Sequence, residues 1–205
     1  MSTKQNPAAT KMLAAFGPDR VVTDRDALKR FADDPTENRA HVPGVVVFPD
    51  SVGDVQTVLR IANETKTPVT IRVTGMNIGG LAIPHDGGIV VDLSRMDRIV
   101  SVDEEDMVAV VEPGVSWAML KERLDTSAPS VVVSYPLAPP ETSVAACCLL
   151  DGTGTLTMRY GSMGDWIGGL EAVLANGEVV RTGASAVTPL WYGRAALPDL
   201  AGLFL

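Results

Sequence analysis

The sequence predicts an α+β fold, on three observations. Residues 44–73 carry a strand–helix–strand pattern of the kind that forms a parallel strand pair. Later strands are joined by short polar turns, and Asn176-Gly177 in particular favours a hairpin. With 205 residues, 46% of them hydrophobic, the chain is long enough to bury a core.

Residues 1–40 are predicted to form an N-terminal helical arm. Asp24 can cap a helix that runs through Phe31, because Leu28 and Phe31 recur at helical spacing, and Pro35 ends it. The remaining residues, 41–205, are predicted to form the main domain.

The main domain begins with an apolar run that is typical of a buried strand. A helix then begins at Ser51 or Asp54, with its apolar residues on one face. A second helix is predicted at 117–124 after Ser116, while residues 138–160 are interrupted by Pro and Gly. The predicted strands are 45–48, 69–73, 88–93, 99–102, 107–112, 131–133, 170–174 and 179–181.

Charge and hydropathy exclude several classes of function. The net charge is −8 with no basic stripe, so we expect no nucleic-acid partner. Residues 1–11 lack the apolar region of a secretory signal, and the longest apolar run, 144–150, is too short to span a bilayer. The expected location is cytoplasmic, or peripheral to a membrane through a partner.

The sequence predicts no metal site. Cys147 and Cys148 are adjacent, which disfavours a disulfide between them, and no CxxC spacing exists. They are interpreted as buried small residues. His41 and His85 have no HxxxH or HExxH context.

A glycine-containing loop follows the predicted strand 69–73 and is the main candidate for ligand binding. Gly75, Gly79 and Gly80 would let backbone amides approach an anion such as a pyrophosphate. The loop matches neither GxGxxG nor GxxxxGK[ST], so Rossmann and P-loop assignments do not fit. A plain glycine-rich turn is the alternative.

Several blocks taken together resemble the PCMH-type FAD-binding domain, found in vanillyl-alcohol oxidase, p-cresol methylhydroxylase and glycolate-oxidase-like enzymes. The blocks are 45–50, 72–81, 86–96, 111–115, 160–161 and 170–183, and the resemblance covers about residues 40–205. It implies two α/β subdomains that bind FAD.

The resemblance also implies which residues contact the cofactor. The pyrophosphate loop, acting mostly through backbone amides, comprises Arg72, Val73, Thr74, Gly75, Met76, Asn77, Ile78, Gly79, Gly80 and Leu81. The second flavin-lining group comprises Pro136, Thr142, Ser143, Ala146, Gly152, Gly154, Tyr160 and Gly161.

The sequence departs from the family in this loop. Met76 stands where many relatives have a histidine that is covalently bonded to the flavin, so we expect the FAD to be non-covalent. Val73 and Thr74 replace glycines and are expected to stiffen the loop. A substitute link through Cys147 or Cys148 is disfavoured, because they lie in an apolar run.

The segment and the cap domain that follow in the family are absent after Leu205. The resemblance therefore predicts a FAD domain that is incomplete at its C-terminus and completed by a partner subunit, which also carries the substrate cap. An iron–sulfur or cytochrome partner for electron transfer is left open.

The expected function is that of the FAD-binding subunit of an oxidoreductase. Hydride transfer to flavin would oxidise a 2-hydroxy acid such as glycolate or D-lactate, or an alkylphenol or aromatic alcohol. The alternative is a non-catalytic truncated paralogue with a structural or regulatory role. No catalytic residue is assigned: Asp165 and Glu171 are interpreted as solvated or structural. Trp117, Trp166 and Trp191 are candidates for an interface, with a core role expected for at least one.

Overall fold

The computed structural model describes residues 6–76, 78–186 and 201–204. The chain divides into two compact units. The first consists of Met1–Arg95 with Val173–Glu178, and the second of Met96–Ala172 with Val179–Leu205.

A four-stranded sheet organises the first unit. Its strand order is β1-β2-β4-β3, in which β2, β4 and β3 are parallel and β1 is antiparallel to β2. A short 3₁₀ helix follows α2 and another follows β4. The helices and strands are α1 (Pro7–Phe16), β1 (Val21–Val22), α2 (Arg25–Leu28), β2 (Val45–Val47), α3 (Val52–Thr65), β3 (Val69–Arg72) and β4 (Ile89–Asp92).

The structure confirms the predicted strand–helix–strand order of β2, α3 and β3, and the two strands are parallel. They do not form the predicted pair, because β4 lies between them and pairs with both. The Ser51 side chain accepts a hydrogen bond from the Asp54 amide at 3.2 Å and so caps α3. The helix ends at Lys66, whose φ of 52° is left-handed. Val58 and Ile61 of α3 then pack into the same buried cluster as the core strands β2 and β4.

The N-terminal residues join this core rather than forming a separate arm. Asn6 caps α1, and Met12 and Phe16 of α1 are buried in the same cluster as β2 and β4. β1 adds an antiparallel strand at the edge of the sheet. Asp24 caps α2 as predicted, and a 3₁₀ turn continues that helix to Phe31.

The second unit is built around Trp117, whose side chain is 1% exposed. β5 and β6 pair antiparallel across one of the predicted polar turns. β7 and β8 form the predicted hairpin, of which Val173–Glu178 is assigned to the first unit. Short 3₁₀ segments add to these elements. The helices and strands are β5 (Ile99–Asp103), β6 (Val108–Val111), α4 (Trp117–Ser127), α5 (Val144–Leu149), α6 (Thr157–Tyr160), β7 (Glu171–Val173) and β8 (Val179–Arg181).

One prediction about the second unit was wrong, and two of its helices were not predicted. Residues 131–133 form no strand: Val131 and Val133 pack against the Trp117 core, and no described residue pairs with them in a ladder. Residues 138–160 contain the helices α5 and α6, which the Pro and Gly punctuation obscured. Ser143 is the cap that could have revealed α5, because its side chain accepts a hydrogen bond from the Ala146 amide.

Candidate functional site

The candidate loop lies at the carboxyl edge of the first sheet. Since β2, β3 and β4 are parallel, their carboxyl ends share one edge, and residues 73–81 leave directly from the end of β3. Ligands of open parallel sheets usually bind at this edge. We call residues 73–81 the glycine loop.

Two glycines of the glycine loop adopt backbone conformations that side chains rarely permit. Gly75 has φ 70° and Gly80 has φ 77°. Turns of this kind can aim successive amides at one anion. Ile78 is 85% exposed and Leu81 63%, so both present apolar surface outwards. Asn77, which was also predicted to contact the cofactor, lies outside the described residues.

Arg72, at the start of the glycine loop, is half-buried and faces the protein. Its Nη1 donates to the carbonyl of Asp33 at 2.9 Å, and its guanidinium carbon lies 5.6 Å from the Phe31 ring centre. The Arg72 side chain is therefore engaged within the fold rather than pointing freely into solvent.

Asp92 is a buried carboxylate at the same edge that the site prediction missed. It is 4% exposed, pairs in register with Arg72, and accepts a hydrogen bond from the Ser94 amide at 3.0 Å. Burial raises the pKa of Asp92. The hydrogen bonds from Ser94 and the positive charges of Arg72 and Arg95 oppose this rise only in part. The sequence signal that could have identified Asp92 is a charged residue at the end of an otherwise apolar strand.

An open cleft of about 580 Å³ lies beside β3 and the second half of the glycine loop. His85 lines it, and the ring of His41 lies 5.3 Å from that of His85 in an edge-to-face arrangement. Within the described residues no group of three or more His, Cys, Asp or Glu side chains is placed to hold a metal ion.

The second predicted group lies in the second unit, around the start of α5. Ser143 donates to the Pro113 carbonyl at 2.6 Å, and Thr142 donates to the Pro139 carbonyl at 2.6 Å. These two hydroxyl protons are therefore committed within the fold. Ala146 supplies the amide that Ser143 caps.

The other members of this group form a compact backbone arrangement. Pro136 and Gly154 make an antiparallel bridge, and the Gly152 amide donates to the Cys147 carbonyl at 2.8 Å. Gly161 has φ 84° and follows Tyr160, which is 56% exposed. A β-carbon at Gly154 would lie 2.7 Å from the Tyr135 carbonyl oxygen, so this position needs glycine.

The remaining polar candidates have structural partners. Asp165 accepts hydrogen bonds from the Ser162 amide and hydroxyl, and Glu171 pairs with Arg181 at 2.6 Å. Cys147 and Cys148 are half-buried rather than fully buried. Burial raises the pKa of both thiols, that of Cys148 to about 12, which keeps them protonated and weakly nucleophilic.

Trp117 has the core role expected of at least one tryptophan, while Trp166 donates its indole N–H to the Tyr160 carbonyl at 3.0 Å. Trp191 lies outside the described residues. No helix among the described residues is both long and apolar enough to cross a membrane.

Sequence comparison identifies related proteins. Residues 43–183 match the family described as FAD binding domain. A mitochondrial D-lactate dehydrogenase [cytochrome] of Arabidopsis thaliana is 35% identical, over 82% of this chain and 30% of that protein. The 4-cresol dehydrogenase [hydroxylating] flavoprotein subunit of Pseudomonas putida is also 35% identical, over 89% of this chain and 35% of that protein.

Two solved structures of flavoenzymes share this fold. A crystal structure of p-cresol methylhydroxylase with substrate bound superposes with a TM-score of 0.86 at 30% identity. It is matched over 100% of this chain and 41% of that one. The 4-ethylphenol oxidase of Gulosibacter chungangensis gives a TM-score of 0.85 at 30% identity, over 100% and 40%.

This chain thus spans well under half the length of these relatives. Its sequence match and its fold agree with the family resemblance that the glycine loop and the flanking blocks first indicated. The chain belongs to the PCMH-type FAD-binding domain family.

Proposed function

We propose that this chain is the FAD-binding part of a flavin-dependent oxidoreductase. The observation that carries the proposal is the glycine loop at the carboxyl edge of a parallel sheet, in a chain of a FAD-binding family. Backbone amides of residues 73–81 would hold the diphosphate. Side chains and backbone around Pro136, Thr142–Ala146, Gly152–Gly154 and Tyr160–Gly161 would contact other parts of the cofactor.

The residues of the glycine loop are suited to hold the diphosphate of FAD through their backbone amides. Gly75 and Gly80 have the positive φ that an amide-lined anion cradle uses. Arg72 is not proposed to contact the diphosphate, since its guanidinium is engaged with Asp33 and Phe31. Met76 cannot form the histidyl bond, so the proposed attachment is non-covalent; acid precipitation should leave all flavin in the supernatant.

The proposed substrate is a hydroxylated small molecule. Relatives are named for D-lactate, glycolate, D-2-hydroxyglutarate and 4-cresol. A bound flavin would supply the redox chemistry by accepting a hydride equivalent, while the protein positions both partners. The residues that separate hydroxy acids from alkylphenols are proposed to lie outside the described part of the chain.

A second subunit is proposed to complete the site. The second unit exposes apolar side chains near the predicted flavin-lining group: Leu137 is 73% exposed, Met158 100% and Val132 81%. We propose that these side chains belong to the surface that a partner covers, since large exposed apolar patches mark interaction sites. That partner would supply the substrate cap and the acid–base residues, and an iron–sulfur or cytochrome protein would take the electrons.

The test is to purify the native assembly and record its absorption spectrum. Flavin bands are expected. Under anaerobic conditions they should bleach with one of two substrate classes: either the 2-hydroxy acids D-lactate, glycolate and D-2-hydroxyglutarate, or the alkylphenol 4-cresol. A colourless assembly that takes up no added FAD would contradict the proposal and favour the non-catalytic paralogue. A lone 21.6 kDa species with no associated chain would contradict the proposal of a second subunit.

A further inference from the structure

Residues 31–38, which we call the bracing segment, contact the glycine loop and the residue before it. Arg72 donates to the Asp33 carbonyl at 2.9 Å, and its guanidinium lies over the Phe31 ring. At the other end, the Asn38 side chain packs beside Gly80. The bracing segment is distant in sequence, so the fold brings the two segments together.

The positive-φ glycines of the loop are packed on the side where a side chain would stand. A β-carbon at Gly75 would collide with the guanidinium of Arg72, whose Nε would lie 2.8 Å away. A β-carbon at Gly80 would lie 2.5 Å from Asn38 Nδ2. Positive φ alone does not produce this packing, because Gly17, with φ 76°, has nothing within 4 Å.

Hydrogen bonds within the bracing segment orient the Asn38 side chain. Its Nδ2 donates to Thr36 Oγ1 at 3.0 Å. Thr36 in turn donates to Asp34 Oδ1 from both its hydroxyl, at 2.5 Å, and its amide, at 3.1 Å. The side chain beside Gly80 is therefore oriented by a short polar network.

We propose that Arg72 and Asn38 are positioning residues that hold the glycine loop in its ligand-binding conformation. The guanidinium of Arg72 braces the inner side of the loop and does not contact the diphosphate. Gly75 and Gly80 already favour glycine through their positive φ, and Arg72 and Asn38 also occupy the space that a side chain would need. This inference rests on the proposed FAD-binding function.

Comparing Arg72→Lys with Arg72→Ala distinguishes two roles for this residue: support of the glycine loop, or direct contact with the diphosphate. A lysine keeps the positive charge but loses the planar group that stacks on Phe31. If Arg72 acts by charge, Arg72→Lys retains FAD affinity, and Arg72→Ala makes FAD binding less sensitive to salt. If Arg72 is a brace, both variants weaken binding alike, and the salt dependence is unchanged.

A double-mutant cycle tests the packing directly. FAD dissociation constants are measured for the native protein, Arg72→Ala, Gly75→Ala and the double variant. We expect Arg72→Ala to weaken binding about tenfold or more, as for loss of a charged hydrogen bond. The Gly75→Ala penalty should shrink by about threefold or more in the Arg72→Ala background, because the colliding guanidinium is gone. Independent, multiplicative effects would overturn the proposal.

Amide hydrogen exchange in the flavin-free protein gives an independent readout. Arg72→Ala and Arg72→Lys should both speed exchange over residues 73–81, whereas Gly17→Ala, a positive-φ glycine in open space, should not. Unchanged exchange in both Arg72 variants would overturn the bracing role. If the native protein binds no FAD, the proposed function fails, and this exchange measurement still decides whether Arg72 braces the loop.

Discussion

Replacing Gly88 by alanine should destabilise the first unit strongly, because Gly88 lies where β4 enters the sheet between β2 and β3. Its φ is 77°, which costs an L-residue about 1–2 kcal/mol. The new β-carbon would also collide with the Pro68 carbonyl oxygen and lie 2.8 Å from Pro68 Cγ. A backbone carbonyl cannot rotate away as a side chain can, so β3 and β4 must separate locally.

The hydrogen bonds at this junction set the rest of the cost. Ile89 donates to the Pro68 carbonyl at 2.9 Å, and Gly44 donates to the Gly88 carbonyl at 2.8 Å. Losing both would cost about 1 kcal/mol each, which brings the expected loss for Gly88→Ala to about 3–4 kcal/mol.

Gly87→Ala is the matched control for this substitution. Gly87 has φ 69°, but a β-carbon there would meet only the Val42 carbonyl oxygen, at 3.9 Å. It should therefore cost only the conformational term of about 1–2 kcal/mol. Urea unfolding followed by far-ultraviolet circular dichroism compares the two variants. Equal losses of unfolding free energy in Gly87→Ala and Gly88→Ala would refute the collision argument.

Three further substitutions or reactions test other parts of the structure. Burial raises the pKa of Asp92 in the folded state, so its contribution is fully present below the unfolded pKa, about 3.9, and is lost as pH rises through the folded pKa. Asp92→Asn should therefore flatten the pH dependence of the urea midpoint above about pH 4, and an unchanged profile would contradict this. Trp117→Ala should cost about 3–5 kcal/mol in urea unfolding, since the side chain is 1% exposed; a loss below about 1 kcal/mol would show that it is not a core residue. Cys148 should react slowly with thiol reagents until urea unfolds the protein, because raising its pKa from 9.0 to about 12 lowers the thiolate fraction on the order of 1,000-fold. Equal rates in the folded and unfolded protein would contradict this.

The sequence could predict elements whose signals are local. The cap at Ser51 and the periodicity of α3 identified the first βαβ unit, and Asn176-Gly177 identified the hairpin, in which Gly177 has φ 86°. β1 has only two residues, too few for any periodicity, and forms because β2 offers a free edge. The run at 131–133 has strand propensity, but no strand in the described part of the chain pairs with it.

The candidate site likewise has features that the local sequence predicts and features that depend on distant residues. The position of the glycine loop followed from three glycines directly after a strand. The contacts of Arg72 did not, because its partners Asp33 and Phe31 lie in a distant segment that only the folded chain brings close. The burial of Asp92 likewise depends on neighbouring strands rather than on its own sequence context.

The account depends on backbone amides of residues 73–81 binding the diphosphate of FAD. Amide hydrogen exchange of the native protein with FAD, ADP or riboflavin tests this most directly, because riboflavin lacks the diphosphate. Protection of residues 73–81 by FAD and by ADP, but not by riboflavin, is the predicted result. Bound FAD that leaves these amides exchanging as fast as in the free protein would contradict it.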